Sequence, residues 1–173
     1  MGAAWNGRPT GRWGRAGCFS LQSYKHANAG EGGLLVCDDE DLAAQAILLS
    51  GSYMLYRSHL SRPSDEAFER WKLRTPNFSL RMGNLPAALA RPQLGAVLRE
   101  RCKRWNQRYR WLAEAMSDIP HVRLPAREPK EQFVASSLQF SVIGLEHERI
   151  AGFIAACAAL GLHVKWFGAD APA

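Results

Sequence analysis

Cys18-Phe19-Ser20-Leu21-Gln22-Ser23-Tyr24-Lys25-His26-Ala27-Asn28-Ala29-Gly30-Glu31-Gly32-Gly33 leads into Leu34-Leu35-Val36-Cys37 and then Asp38-Asp39. The apolar ends and the polar, glycine-rich middle predict strand, loop, strand. Cys18 to Leu21 is strand-like, Lys25 to Gly33 is loop, and Leu34 to Cys37 has the composition of a short buried strand. Asp38 and Asp39 offer N-cap oxygens and negative charge to a helix over Asp41 to Leu49, with Gly51 placed to turn the chain behind it. Strands alternating with a helix make the unit α/β.

The same stretch holds a chemical pattern, with Ser20 five residues before Lys25 and a glycine turn just after it. A lysine that forms a Schiff base must be held beside an aldehyde and be partly deprotonated, while a nearby hydroxyl can bond a cofactor phosphate. Glycines accept the positive φ that a sharp turn behind the lysine requires. Spacing alone is a weak signal, because most lysines are solvated and Ser-x4-Lys arises often by chance.

Outward from this centre, residues 1–17 are rich in Gly and Arg, with Trp5 and Trp13 among them, and read as surface turns. Residues 58–80 predict one short helix near Trp71 between loops, and a domain junction falls near residues 75–85. From Asn84 runs the longest helical pattern, its stripe formed by Leu89, Leu94, Leu98, Cys102, Trp105, Tyr109, Leu112 and Met116. After Pro120 come strand candidates at His121–Leu124 and Ser137–Ile143. A helix over Glu146–Leu160, closed by Gly161, and a strand-like Leu162–Trp166 complete the order.

The chain of 173 residues, 47% hydrophobic and 22% charged, can bury a core as one domain or two small ones. Its net charge of +6 fits an anionic partner without choosing among nucleic acid, a phosphorylated cofactor and a nucleotide-linked substrate. Cys18, Cys37, Cys102 and Cys157 form no CxxC pair and read as reduced thiols of a cytoplasmic protein. The five histidines show no HExxH spacing, so no metal is expected. The most apolar stretch, Ile150 to Leu162, is shorter than the ~20 residues a membrane span needs. No apolar export signal opens the chain.

Phe19-Ser20-x4-Lys25 with Gly30-Glu31-Gly32-Gly33 and the Asp-rich helix start resembles the cofactor-lysine segment of the DegT/DnrJ/EryC1/StrS family of pyridoxal-phosphate-dependent aminotransferases. Pro76-Asn-Phe-Ser-Leu-Arg-Met-Gly-Asn-Leu-Pro-Ala-Ala-Leu89 is similar to that family's Asn-x-Arg-Met-x-(Asp/Asn)-Leu-x-Ala-Ala segment. Arg81, Met82, Asn84, Leu85, Ala87 and Ala88 match it. Residues 1–17 and 134–168 are compatible as well, so the resemblance covers nearly the whole chain.

The resemblance implies a partial fold-type-I transferase. Residues 1–80 would be the C-terminal part of the large cofactor-binding domain, and residues 81–173 a small α/β domain. It implies pyridoxal 5′-phosphate as cofactor and Lys25 as the catalytic lysine that carries it and moves the substrate proton. Ser20 would contact the phosphate. A further asparagine of the family reaches the phosphate of the neighbouring subunit's cofactor; here the position two before Arg81 is Ser79 and the nearest asparagine is Asn77, so either could serve. The implied assembly is a homodimer, and the implied substrates are an amino donor, commonly glutamate, and a keto-sugar nucleotide or related keto-metabolite. Members of the family are longer than this chain, and their N-terminal half supplies a phosphate-binding turn, a ring-stacking aromatic and the aspartate that pairs with the ring nitrogen. Without that aspartate the cofactor is a poorer electron sink.

Three rivals stand beside this reading. Some relatives dehydrate instead of aminating, but they replace the lysine by histidine, and here His26 is a neighbour of Lys25 rather than its substitute. A catalytically inactive remnant, or an interaction fragment, would keep Lys25 merely as a loop lysine. Nucleic-acid binding would use Arg99, Arg101, Lys103, Arg104, Arg108 and Arg110 with Trp105 and Tyr109; the simpler expectation buries both rings in the helix stripe and leaves a solvated basic face.

Overall fold

A computed structural model describes residues 1–168. Its contacts divide the chain into two compact units, Met1–Gln107 with Glu128–Ser136, and Arg108–Arg127 with the segment from Ser137 onward.

In the first unit, the expected strand, loop, strand is an antiparallel pair. β3 (Ala16–Ser20) runs against β4 (Gly33–Cys37) in a register from Ala16↔Cys37 to Ser20↔Gly33. The loop 21–32 between them turns back through Gly30 (φ 79) and Gly32 (φ 129), conformations from which a Cβ is excluded or strained. α1 (Glu40–Leu49) starts where the acidic pair predicts. The Asp39 carboxylate accepts from the Leu42 N–H at 3.0 Å, Glu40 and Asp41 face the positive helix end, and Gly51 (φ 80) carries the chain out.

A 3-10 turn at Tyr53–Ser58, which no periodicity announced, leads to α2 (Asp65–Trp71), capped by the Ser64 hydroxyl. α2 packs on α1 and is joined to it by an Arg70–Asp41 ion pair, and the Tyr56 ring lies 4.2 Å from that of Phe68. The Tyr56 hydroxyl is satisfied by the carbonyls of Pro63 and Ser64.

Residues 1–17 hold more order than loose turns. β1 (Ala4–Trp5) and β2 (Arg8–Pro9) form a hairpin, extended on the other side of β1 by β6 (Glu131–Gln132). The cause is Asn6-Gly7, both left-handed at φ 48 and 75, the pair that a two-residue primed turn selects. The glycine and arginine content of the segment masked this signal.

The long helical pattern from Asn84 is two helices. α3 (Asn84–Ala90) passes into a 3-10 turn at Arg91–Gln93, and α4 (Ala96–Met116) begins only after Gly95 at φ 70. Pro92 and Gly95 break what side-chain periodicity alone would join. Pro86, in the first turn of α3, is tolerated there because that turn has no intrahelical acceptor for its missing N–H. On α4, Cys102 and Tyr109 are buried and Trp105 half-buried, as the stripe requires, whereas Leu112 is exposed.

In the second unit, β5 (Val122–Arg123) pairs antiparallel with β7 (Ser141–Val142), shorter than the expected strands. The Ile143 N–H to His121 carbonyl bond, with His121 Nδ1 on the Ile143 carbonyl at 2.9 Å, extends the contact past the ladder. α5 (His147–Ala159) follows and ends through Gly161 at φ 74. Leu162–Trp166 does not form the expected strand, since no described segment offers it a ladder; the Trp166 ring instead packs at a tilt against that of His147, with centroids 4.4 Å apart. Residues 169–173, the end of the expected second domain, lie outside the described residues. Among the described residues, no helix is long and apolar enough to cross a membrane, and no cluster of potential metal ligands occurs.

Candidate active site

The loop 21–32 carries Lys25 at an exposed tip, and its two arms are laced together beneath it. Leu21 N–H donates to Gly32 O at 2.9 Å, Ser23 N–H to Gly30 O at 2.9 Å and Ala29 N–H to Leu21 O at 2.8 Å. Leu21, Ala27 and Ala29 point inward and, with Ala90, form a small core against Met1, Leu34, Met82 and Leu94. Small buried alanines let the loop lie close on α3, so the intervening side chains Tyr24 and Lys25 are pushed outward. Tyr24 adopts φ 71, a left-handed conformation unusual for an aromatic residue, and the Lys25 N–H closes a turn on Gln22 O at 3.0 Å.

Ser20 ends β3 on the exposed side. Its Oγ accepts from the Gln22 N–H at 3.2 Å, which leaves the hydroxyl proton for another acceptor. Lys25 and Ser20 therefore belong to one hairpin, at the tip and the base of the same loop.

His26, which sequence reading set aside as a neighbour, is held from every side. Nδ1 lies 3.2 Å from the Met1 carbonyl, which can only accept, so Nδ1 bears the proton; Nε2 then accepts from the Ser136 hydroxyl at 3.1 Å. The ring packs on Trp105 with centroids 4.8 Å apart, and the His26 carbonyl accepts from the Arg101 guanidinium. Burial pushes the imidazole below its usual value, and the Met1 carbonyl opposes that shift while the charges of Arg101 and Lys25 add to it. The neutral ring fits this bonding pattern, and both of its nitrogens are already engaged.

Asn77 and Ser79 lie elsewhere in the unit, beside the end of α1. The Asn77 Oδ1 accepts from the Ser79 N–H at 2.9 Å and from its hydroxyl at 3.4 Å, and Ser79 takes φ 52 to allow it. Phe78 and Leu80 N–H groups donate to Leu49 O, and Arg81 donates to Ser50 O at 3.4 Å. Among the described residues no hydrogen bond joins Asn77 or Ser79 to Lys25 or Ser20. The link between the two places is Met82, whose methyl lies where a Cβ on Gly32 would come within 2.5 Å. The Met82 side chain thus lies against Gly32 and brings the Arg81-Met82 segment to the lysine loop.

Sequence reading missed the residues that grip this loop from α4 and the turn before it. Trp105 was visible as part of the stripe, and Arg101 stands four residues before it on the same face, so a partner to His26 could have been sought there. Gln93 sits in a 3-10 turn with no periodicity to mark it.

The sequence model of the DegT/DnrJ/EryC1/StrS aminotransferase family matches residues 1–163. The chain is 32% identical over 133 residues to GDP-perosamine synthase of Caulobacter vibrioides, a match over 73% of this chain and 33% of that protein. Its fold is similar to that of a DegT DnrJ EryC1 StrS aminotransferase from Brucella abortus, with TM-score 0.71 and 18% identity over 96% of this chain and 40% of the other. It is also similar to the E. coli GDP-4-keto-6-deoxy-D-mannose-3-dehydratase with bound hydrated PLP, with TM-score 0.64 and 20% identity over 91% of this chain and 42% of that one. At these identities the structural likeness establishes the fold, a mixed α/β part of a PLP-dependent transferase, and the chain spans well under half the length of each relative. With the family match running from the N-terminal hairpin to the end of α5, the chain belongs to the DegT/DnrJ/EryC1/StrS aminotransferase family, whose cofactor is pyridoxal 5′-phosphate.

Proposed function

We propose that this chain carries the cofactor-lysine part of an aminotransferase site that moves an amino group from a small donor to a keto-sugar nucleotide or related keto-metabolite. The observation that carries the reading is Lys25, exposed at the tip of a loop whose arms are hydrogen-bonded together and whose base presents Ser20. The donor set fits pyridoxal 5′-phosphate: a primary amine for its aldehyde, and a hydroxyl with an uncommitted proton for its phosphate. When bound, the cofactor supplies the aldehyde and an electron-withdrawing ring that acidifies the carbon next to the amine.

In this reading Lys25 is the catalytic residue. As a free amine its Nζ takes a proton from the substrate Cα, and as an ammonium it returns one on the other side of the exchange. Ser20 donates to the phosphate of the same subunit. Of the two candidates for the neighbouring subunit's phosphate, Asn77 suits the role better than Ser79. Its Oδ1 is taken by the Ser79 N–H and hydroxyl, which turns the two Nδ2 hydrogens toward another acceptor. That role requires a homodimer of the whole protein. Residues 1–80 are then the C-terminal part of the large domain and residues 81–173 the small one, although residues 81–107 and 128–136 pack in the same compact unit as the lysine loop.

The sugar-nucleotide class is supported by the names of the relatives, a GDP-perosamine synthase and a GDP-4-keto-6-deoxy-D-mannose dehydratase. Amination is favoured over dehydration because Lys25 occupies the loop tip, while both ring nitrogens and the ring face of His26 are engaged in packing.

The test is an absorbance titration of the purified chain with pyridoxal 5′-phosphate, beside Lys25→Arg. A saturable visible band in the native chain that is lost in the variant supports the reading. An equal band in both, or none in either, overturns it, and the second result returns the chain to an inert relative of the family.

A further inference from the structure

We propose that Gln93 and Arg101 are positioning residues for Lys25: they clamp the backbone on the C-terminal side of the lysine and so fix where its side chain starts. The inference rests on Lys25 being the cofactor lysine.

Lysine is a long side chain with four torsions, so its amine can be delivered to a fixed aldehyde only if its Cα is fixed. The loop's own backbone bonds hold Leu21, Ser23, Lys25 and Ala29, but make none to the stretch from His26 to Asn28, which is left to be fixed from outside. Two side chains distant in sequence do this. The Gln93 amide reads the backbone of Asn28 on both sides: Oε1 accepts its N–H at 2.9 Å and Nε2 donates to its carbonyl. The second Nε2 hydrogen reaches Leu89 O at 2.8 Å, so the amide is itself anchored to the end of α3. Arg101, one turn before Trp105 on α4, donates to the His26 carbonyl, and Trp105 covers the His26 ring. Residues one and three positions after Lys25 are thereby pinned, and Ala27 between them is fully buried. All these groups lie in one compact unit.

A misplacement of about 1 Å at a reacting group can cost on the order of 100-fold in rate. Losing one clamp, the two neutral hydrogen bonds of Gln93 or the single charge-assisted bond of Arg101, should raise the open population of the tip by about tenfold.

The experiment uses the whole chain with Gln93→Met, which keeps volume but cannot bond the backbone, and Arg101→Met with Arg101→Lys as its conservative partner. Two quantities are read: hydrogen exchange of the Lys25 amide, and the rate at which pyridoxal 5′-phosphate with borohydride labels Lys25 relative to Lys72, Lys103, Lys130 and Lys165. The expected result is Lys25 amide exchange about tenfold faster in both Met variants, with Lys25 labelling slowed by a similar factor, labelling of the other lysines and exchange in α1 unchanged, and partial recovery in Arg101→Lys. A purely local role would move the Asn28 amide and leave that of Lys25 as it was, and this overturns the proposal. So does a general rise of exchange throughout the unit. If the native chain fails to label at Lys25 while the exchange results hold, the cofactor reading falls and the clamp remains; if labelling is specific but insensitive to both clamps, the reverse is true.

Discussion

Replacing Gly32 by alanine separates backbone strain from crowding at the point where the lysine loop meets the Arg81-Met82 segment. Two effects oppose the new methyl. At φ 129 the residue lies outside every region open to an L side chain, which costs about 2–3 kcal/mol. The added Cβ would also lie 2.5 Å from the Met82 Cε, but that atom ends a flexible side chain, and one changed torsion relieves the overlap for about 1 kcal/mol. Alanine restricts the unfolded chain and returns about 0.4–1 kcal/mol. The net expectation is a loss of about 2.5 kcal/mol with the backbone as the larger part, seen as a urea midpoint lowered by about 1 M. Equilibrium urea unfolding of the native chain, Gly32→Ala, Met82→Ala and the double variant measures it. The coupling between the two positions should stay below about 1 kcal/mol. A loss under about 0.5 kcal/mol, or one that Met82→Ala fully relieves, would refute the argument that conformation rather than space demands glycine here.

Gly7→Ala isolates the backbone effect, because nothing lies within 4 Å of its added Cβ; at φ 75 it should cost about 1 kcal/mol in urea unfolding and speed exchange of the Asn6 amide bound to Lys130 O. His26 should make stability fall with acid. Its imidazole is held below the usual 6.5, so the unfolded chain takes up the proton first; stability is full above pH 6.5 and declines as pH falls through that value toward the lowered one. Unfolding followed from pH 8 to pH 5 should show this decline in the native chain and a flatter profile in His26→Gln.

Much of the fold around Lys25 was legible because its signals are local. The apolar runs around a polar glycine loop announced the β3–β4 pair, and Asp39 announced α1 through a bond that spans three residues. The N-terminal hairpin was legible too, in Asn6-Gly7, but the surrounding arginines and glycines read as surface turns in general rather than as one turn between two strands. What periodicity could not give were the breaks it does not encode. The apolar positions go on past Pro92 and Gly95, with a five-residue step from Leu89 to Leu94 where the others are three or four, so they read as one helix where the backbone permits two. Nor could it give the grip on Lys25, since Gln93 and Arg101 act on backbone atoms more than sixty residues away and neither belongs to an apolar pattern. The failed strand at Leu162–Trp166 has the right composition, but a strand also needs a neighbour, which composition does not report.

The central claim is that Lys25 is the residue that meets the cofactor. The most direct measurement is peptide mapping after the chain is incubated with pyridoxal 5′-phosphate and reduced with borohydride, with a matched sample of Lys25→Arg. The account predicts a single modified peptide bearing the label on Lys25, absent from the variant. Label spread over Lys72, Lys103, Lys130 and Lys165 as readily as over Lys25 would contradict it.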